Sequence, residues 1–303
     1  MRLHIVLYLS TLLSTAVAGT IQRRDADFLS VRKKLLKDHS GRAGDPPEKY
    51  FHEATFHPHY DGRFADHVLG EDEQKEALKN LLQTYLATMS DIGVQTWLMH
   101  GTLLGWWWNK KIMPWDSDID VQVSETSMHY LAAYHNMSVF HYKTPRITDG
   151  RDYMLEINPH YNNRDKQDTM NHIDARWIDT ESGLFIDITA VRYDVDHPRG
   201  PNMLVCKDGH EYKDTDIFPL RKTFFEGTAA RIPFNFRDVL ANEYGRDSLL
   251  VREYENHVFV DERMEWIPTN KLIPLRAIAN DDGGDVKKDE PVDLKFEQGV
   301  SQS

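Results

Sequence analysis

The chain of 303 residues contains a single cysteine, Cys206. One thiol cannot form a disulfide within the chain, so the fold must be stabilised by its core. The same scarcity excludes a structural zinc site built from several thiolates. Any metal site in this protein must therefore be built from oxygen and histidine ligands.

The chain also lacks an excess of basic residues, since 36 Lys and Arg stand against 48 Asp and Glu, for a net charge of −12. A protein that binds nucleic acid nonspecifically needs a basic patch, so this balance argues against that class and we expect no nucleic-acid partner. With 40% hydrophobic residues, the chain can bury the core of one large domain or of a domain with extensions.

Long hydrophobic runs are absent as well, and no later segment reaches the about 20 apolar residues that a membrane-spanning helix needs. Near the N-terminus, a shorter apolar run over residues 5–13 follows Arg2 and leads to the motif AVA at 16–18. This pattern is typical of a secretory signal peptide and predicts cleavage after Ala18. The alternative is an uncleaved signal anchor, which would give a type II membrane protein. An Asn-x-Ser acceptor at Asn136 fits a glycosylated protein of the Golgi or ER lumen, or a secreted one.

Composition and periodicity divide the chain into four regions. We expect a signal peptide at 1–18, an irregular segment at 19–70, a catalytic domain at 71–275 and a disordered acidic tail at 276–303. The irregular segment contains four histidines, which are either metal ligands or scattered surface residues: His52, His57, His59 and His67. The second interpretation is favoured because no acidic or thiol partner lies at ligand spacing.

Apolar residues recur at three- and four-residue spacing over residues 71–93, which predicts an amphipathic helix. Shorter helices are predicted over 103–108, 125–135 and 237–244. Strands are predicted over 95–100, 115–123, 138–143, 154–161, 172–179 and 183–191. Helices mixed with several consecutive strands indicate an α+β or mixed α/β fold.

Three aspartates, Asp116, Asp118 and Asp120, alternate with other residues in the predicted strand over 115–123. Strand side chains repeat every two residues, so the three carboxylates share one side. Crowded carboxylates repel one another unless a cation neutralises them, and Mg²⁺ and Mn²⁺ prefer oxygen ligands. The pattern predicts a site for Mn²⁺ or Mg²⁺, in which Asp116 is either a ligand or a group that orients one. An Asp-x-Asp taken alone would be interpreted as a solvated strand edge.

Two further features support a site for a nucleotide diphosphate. Gly101 allows backbone N–H groups to approach a phosphate, Thr102 adds a hydroxyl donor, and a following helix adds its positive end. Asp187 projects from the face of its strand opposite the apolar residues, where it completes the metal cage or takes a proton from an attacking hydroxyl. Bound metal would bridge the phosphates and neutralise the leaving group. This ordered set is the signature of the nucleotidyltransferase fold.

Several other residues are candidates for substrate binding, and the sequence leaves two interpretations open for each. Lys110 and Lys111 precede the acidic segment and either meet donor phosphates or are solvated loop charges. Arg176 either clamps a phosphate or forms an ion pair with Asp174 or Asp179. The tryptophans at 106–108 offer stacking surfaces for a base or sugar, although at least one should be in the core.

Two motifs, HGTLLGW at 100–106 and PWDSDIDV at 114–121, resemble the LicD family, which includes bacterial phosphocholine transferases and fukutin-type ribitol-phosphate transferases. Further blocks, NHIDARWID at 171–179, SGLFIDIT at 182–189 and segments between 218 and 245, resemble its fungal mannosylphosphate-transfer branch. The resemblance covers roughly residues 75–250. It implies an α+β, nucleotidyltransferase-like fold with a mixed β-sheet flanked by helices. It also implies transfer of mannose-1-phosphate from GDP-mannose to a glycan hydroxyl of cell-wall or N-linked mannan.

The chain departs from the family pattern in two ways. Ser117 stands where many members have a third consecutive aspartate, and it should point away from the metal face. The chain is also short, and some fungal relatives are thought to be positive regulators of a partner transferase. The alternatives to a phosphotransferase are therefore such a regulator, without catalysis of its own, and a glycosyltransferase of the DxD type.

Overall fold

A computed structural model describes residues 22–25, 35–42, 44–164, 168 and 170–271. The predicted signal peptide and the predicted acidic tail lie outside these described residues. The chain divides into two compact units, with the boundary after Val251. Among the described residues, no helix combines the length and the apolar character needed to cross a membrane.

The first unit is built on a nine-stranded sheet. Its strands are β1 Gln22–Asp25, β2 Thr96–Leu98, β3 Asp120–Ser124, β4 Ser138–Thr144, β5 Ile147–Ile157, β6 Ala175–Asp179, β7 Phe185–Asp194, β8 Met203–Val205 and β9 Glu211–Lys213. The main path runs β1-β4-β5-β6-β7-β3-β2, and β8 and β9 extend from β7. β3 and β7 pair in parallel, whereas the other neighbours are antiparallel. The sheet is therefore mixed.

Helices flank this sheet: α1 Glu71–Asp91, α2 His100–Asn109, α3 Glu125–Tyr134, α4 Asp214–Ile217 and α5 Phe236–Tyr244, followed by a 3-10 helix at Arg246–Leu249. The apolar stripe of α1 is buried, as its periodicity predicts, at Leu78, Leu81, Leu82, Tyr85, Leu86 and Met89. A hairpin of β10 Arg221–Phe225 and β11 Thr228–Ile232 follows α4. The architecture is the expected α+β, nucleotidyltransferase-like fold.

The second unit is a small antiparallel meander within its described residues. It comprises β12 Glu253–Tyr254, β13 His257–Val260 and β14 Glu265–Pro268.

Several predicted boundaries are wrong. The acidic strand begins only at Asp120, because the chain turns at Asp116, whose N–H donates to the Met113 carbonyl at 3.0 Å. β5 starts at Ile147, well before the predicted boundary, because its first half is polar and partly exposed and shows no apolar alternation. The segment expected to be irregular contributes the short strand β1.

Candidate active site

The structure brings the predicted acids together at the start of β3. Asp120 is the first residue of that strand and is paired in register with Asp187 of the parallel neighbour β7. The Asp187 N–H donates to the Ile119 carbonyl at 3.0 Å, which fixes the two strands at this level. Asp116 and Asp118 reach the same place from the irregular segment that precedes β3, not from the strand face that the sequence predicts.

The predicted Gly-Thr turn lies directly against these acids, at the N-terminal end of α2. The Thr102 hydroxyl accepts the N–H of Asp120 at 2.9 Å, so Thr102 holds the first residue of β3 in place. A Cβ at Gly101 would lie 3.1 Å from Asp116 Oδ2. The missing side chain of Gly101 therefore permits the carboxylate to approach the positive end of the helix.

Burial and mutual repulsion perturb these carboxylates. Burial, followed by the hydrogen bond and the charge of Asp118, raises the pKa of Asp116 to about 9. Burial also raises the pKa of Asp120 well above its ordinary value, together with the charges of Asp118 and Asp187. A divalent cation would relieve this repulsion, and a set of carboxylate oxygens is the donor set that Mg²⁺ and Mn²⁺ prefer. The chemistry of this donor set therefore suits the expected metal.

Arg176 is buried and supports Asp187. Its Nε donates to Asp187 Oδ1 at 2.7 Å, and its Nη2 lies 3.4 Å from Glu53 Oε1. The guanidinium also packs over the rings of Phe51 and Phe185, with its central carbon 4.8 and 3.7 Å from their centroids. Burial raises the pKa of Asp187 and Arg176 opposes that rise, so the pair orients a carboxylate in a poorly solvated place.

The two aspartates considered as partners of Arg176 are engaged elsewhere. Asp174 contacts Arg192 at 3.0 Å and Lys207 at 3.3 Å. Asp179 accepts the Ser182 hydroxyl at 2.7 Å. Arg176 thus forms an ion pair, as one of the two interpretations predicts, but its partners are Asp187 and Glu53.

Two of the four histidines of the N-terminal segment line the acidic site. His59 Nδ1 lies 2.6 Å from Ser117 Oγ, and its Nε2 lies 3.7 Å from Asp118 Oδ2. His57 packs edge-on against His59, with 5.3 Å between ring centroids. The other two make local pairs, His52 with Asp45 and His67 with Asp66. Sequence spacing missed the role of His59 because its carboxylate partner is distant along the chain.

The two candidate lysines lie at the other end of α2. Lys110 follows the helix with φ of 60°, and both Lys110 and Lys111 are exposed. At about 1.5 Å of rise per residue, the length of α2 separates them from Gly101 by about 14 Å. The structure does not place them beside the aspartates.

The three consecutive tryptophans fasten α2 to other elements. The indole N–H of Trp106 donates to Thr223 Oγ1 at 2.8 Å, that of Trp107 to the Leu249 carbonyl at 3.3 Å, and that of Trp108 to the Ser248 carbonyl at 3.1 Å. These bonds tie the helix to the β10–β11 hairpin and to the 3-10 helix. Their geometry favours a structural role over stacking on a ligand.

Asn136, the predicted glycosylation acceptor, is exposed just after α3. Its Oδ1 accepts the N–H of Ile157 at 2.9 Å. That bond engages the amide oxygen, whereas a glycan would be carried by the amide nitrogen.

Four residues near the acids were not predicted from the sequence: Glu53, Asp208, His210 and Glu243. The charges of Glu243 and Asp208 contribute to the raised pKa of Asp120, after burial and the nearer aspartates. Glu243 also contacts His100, whose Nδ1 lies 2.6 Å from Glu243 Oε1. Glu53, Asp208, His210 and Glu243 come from separate parts of the chain, so no local pattern marks them. The only local indication of this group is His100, which directly precedes Gly101.

Comparison with known proteins assigns the fold to a family. Residues 93–235 match the family described as "LicD/FKTN/FKRP, nucleotidyltransferase domain". The chain is 33% identical over 217 residues, 70% of its length, to "Mannosyltransferase regulator 4" of Saccharomyces cerevisiae. It is 34% identical over 155 residues, 48% of its length, to "Mannosyltransferase regulator 14" of the same yeast. The matched regions cover only 18% and 16% of these two relatives. The match includes the Gly-Thr turn and all four aspartates of the site, so residues 93–235 form a LicD-family domain.

Proposed function

We propose that this protein is a metal-dependent phosphotransferase that moves a phospho-sugar from a nucleotide-sugar to a glycan hydroxyl. The observation that carries the proposal is the meeting of Asp116, Asp118 and Asp120 with Asp187 at the N-terminal end of α2. A crowded carboxylate set beside a helix N-terminus suits a nucleotide diphosphate with its divalent cation.

The four aspartates would hold Mn²⁺ or Mg²⁺. When bound, the metal would supply positive charge that neutralises the leaving nucleotide. Thr102 positions Asp120 through its backbone N–H. Arg176 holds Asp187 by one oxygen, so that this carboxylate either completes the metal cage or takes the proton of the attacking hydroxyl.

The donor, acceptor and compartment rest on the resemblance to the fungal branch and on the N-terminal pattern. We infer mannose-1-phosphate as the transferred group, GDP-mannose as its donor and a mannan of the secretory pathway as its acceptor. The glycan hydroxyl would attack the phosphorus joined to the sugar. The bond from that phosphorus to the bridging oxygen breaks, GMP leaves, and the hydroxyl proton passes to a base.

The test is transfer from GDP-mannose labelled in the mannose and in the β-phosphate to a mannan oligosaccharide, by purified protein with Mn²⁺. We expect both labels in the product and no transfer by an Asp118→Ala/Asp120→Ala double variant. Transfer of mannose without phosphate would instead identify a DxD glycosyltransferase. Full activity in the double variant would contradict the proposed site.

A regulatory function is the second candidate, and the observation that favours it is the name of the two yeast relatives, each a "Mannosyltransferase regulator". A regulator would act by binding a partner mannosylphosphate transferase, and its aspartates would not be required for chemistry. In cells that lack this chain, the double variant would then restore mannan phosphorylation as well as the wild type. We expect it to fail, as the phosphotransferase proposal requires.

A further inference from the structure

A second group of metal-ligating side chains lies beside the aspartate site. His100 is the first residue of α2, His210 lies in the turn between β8 and β9, and Glu243 lies in the last turn of α5. One ligand atom from each of the three lies within 4.8 Å of the other two. Three segments that are distant in sequence thus converge on one point that the proposed transfer does not use.

The contacts within this group leave ligand atoms without partners. His100 Nδ1 lies 2.6 Å from Glu243 Oε1, and His210 Nε2 lies 3.9 Å from the same oxygen. Within the described part of the chain, His100 Nε2 and Glu243 Oε2 are buried and reach no hydrogen-bond partner. Buried polar atoms normally have partners because an unpaired one costs about 1–3 kcal/mol. A cation would satisfy them.

The backbone and the neighbouring acid add two further observations. His100 has φ of 51°, a left-handed conformation that non-glycine residues adopt mainly at functional or over-determined positions. Asp208 Oδ1 accepts the backbone N–H of His210 at 3.1 Å and lies 3.1 Å from the ring Nδ1 without hydrogen-bond geometry, and Asp208 Oδ2 lies 3.8 Å from His100 Nε2. A carboxylate in contact with one ring nitrogen is the usual means of orienting a histidine whose other nitrogen binds a metal. Here that other nitrogen is Nε2, the one nearer Glu243.

We propose that His100, His210 and Glu243 form a transition-metal site of the zinc class, distinct from the aspartate site for Mn²⁺ or Mg²⁺. Two imidazoles and a carboxylate suit Zn²⁺, and a three-residue set leaves one coordination position open. Ligand atoms around a tetrahedral Zn²⁺ lie about 3.4 Å apart, so on binding the His100–Glu243 pair would open from 2.6 Å and the wider pairs would close from at most 4.8 Å. The His210 side chain is 37% exposed, which gives an ion access from solvent.

Such an ion would connect the two sites mechanically and electrostatically. It would fasten His100, and with it the adjoining Gly101 and Thr102, to the end of α5. It would also offset the negative charge that Glu243 and Asp208 place near Asp120. The inference concerns metal binding by these three residues and stands whether or not the chain transfers a phospho-sugar.

The test uses the full chain, stripped of metal and titrated with Co²⁺ alone and then with Zn²⁺ alone. Co²⁺ bound by few ligands in a mixed nitrogen and oxygen site gives strong visible absorption bands, whereas Co²⁺ held by carboxylates and water gives weak ones. We expect one equivalent of strongly absorbing Co²⁺, which one equivalent of Zn²⁺ displaces. The strong bands should disappear in His210→Ala and in Glu243→Gln, with a loss in Zn²⁺ affinity of more than about 100-fold.

Controls separate this site from the aspartate site and from misfolding. Asp118→Asn and His129→Ala, which removes an exposed histidine on α3, should keep the strong bands. Asp208→Asn should keep them but weaken Zn²⁺ binding by about 10- to 100-fold. Far-UV circular dichroism of each metal-free variant checks that the fold is retained. Weak bands alone in the wild type, or strong bands that persist in folded His210→Ala and Glu243→Gln, would overturn the inference.

Discussion

Asp116 shows how one side chain balances folding against ligand binding. Its carboxylate lies close to Gly101, and burial together with Asp118 raises its pKa to about 9. An asparagine at this position would keep the shape of the side chain, remove the need to bind a proton on folding at neutral pH, and remove a proposed metal ligand. The position therefore couples the stability of the metal-free protein to the affinity for metal.

Asp116→Asn should stabilise the metal-free protein at neutral pH by about 1 kcal/mol, because the wild-type carboxyl has to take up a proton on folding and the amide does not. The same change should reduce the rise in melting temperature that Mn²⁺ produces. Differential scanning calorimetry with a chelator and with Mn²⁺ measures both effects. Asp149→Asn, at an exposed position, is the matched control and should change neither. A metal-free variant that melts below the wild type would contradict this account.

Cys206 should be inert to thiol reagents while the protein is folded. Its side chain is buried, burial raises the pKa of its thiol well above the ordinary value, and Gln122 Nε2 donates to its sulfur at 3.3 Å. Because only the exposed thiolate reacts, alkylation should require opening of the structure. Mass spectrometry after iodoacetamide treatment should find little label under native conditions and one label in denaturant. Rapid native labelling would contradict the burial described here.

For single residues, the sequence allowed the acids of the site to be predicted, but not the residues around them. Asp118, Asp120 and Asp187 could be selected because local spacing and a nearby Gly-Thr turn mark them. Glu53 and Glu243 could not, because their proximity to the site depends on how distant segments pack. His59 was set aside for the same reason, since its contact with Asp118 crosses the chain.

At the scale of single elements, α3 follows β3 without a loop, and Ser124 ends the strand and begins the helix. Its hydroxyl oxygen accepts the N–H of Ser127 at 3.2 Å. This bond satisfies one of the helix N–H groups that have no partner within the helix. The start of α3 and the end of a strand that carries Asp120 are thus fixed by one side chain.

Ser124→Ala should therefore destabilise the protein by about 1 kcal/mol, whereas Ser124→Asp should retain most of the stability. Urea unfolding followed by circular dichroism measures the difference. Thr126→Ala, at an exposed position in the same helix, should be neutral or slightly stabilising because alanine favours helices. Equal losses from the Ser124 and Thr126 alanine variants would show that the cap contributes nothing specific.

Elements with strong periodicity were predictable and those without it were not. α1 was predicted closely because its apolar stripe runs for several turns. The predicted strand was shorter than β5 because the first half of β5 is partly exposed and shows no apolar alternation. β8 and β9 were missed because a strand of three residues is too short to show an alternating pattern. The pairing order of the sheet, including the parallel contact of β3 with β7, depends on packing that local sequence does not encode.

At the scale of the whole molecule, an acidic chain concentrates several of its acids in one site. A ligand that binds only the folded protein adds about 2.7 kcal/mol of stability at a hundredfold excess over its Kd. We expect Mn²⁺ to raise the melting temperature, GDP-mannose to raise it further only when Mn²⁺ is present, and a chelator to reverse both. The Asp118→Ala/Asp120→Ala double variant provides the control. A shift of equal size in that variant would place the binding elsewhere.

The parallel pairing of β3 with β7 has a consequence for how the protein folds. β4, β5 and β6 lie between these strands in sequence, so the pairing closes a long loop. Closing such a loop costs conformational entropy before the strand contacts can stabilise it, so these contacts form late in folding. Asp120 and Asp187 should then meet only after the transition state. Mn²⁺ should accordingly slow unfolding in stopped-flow experiments and leave the rate of refolding nearly unchanged. The cation would therefore stabilise the folded protein against unfolding, without helping the chain to fold.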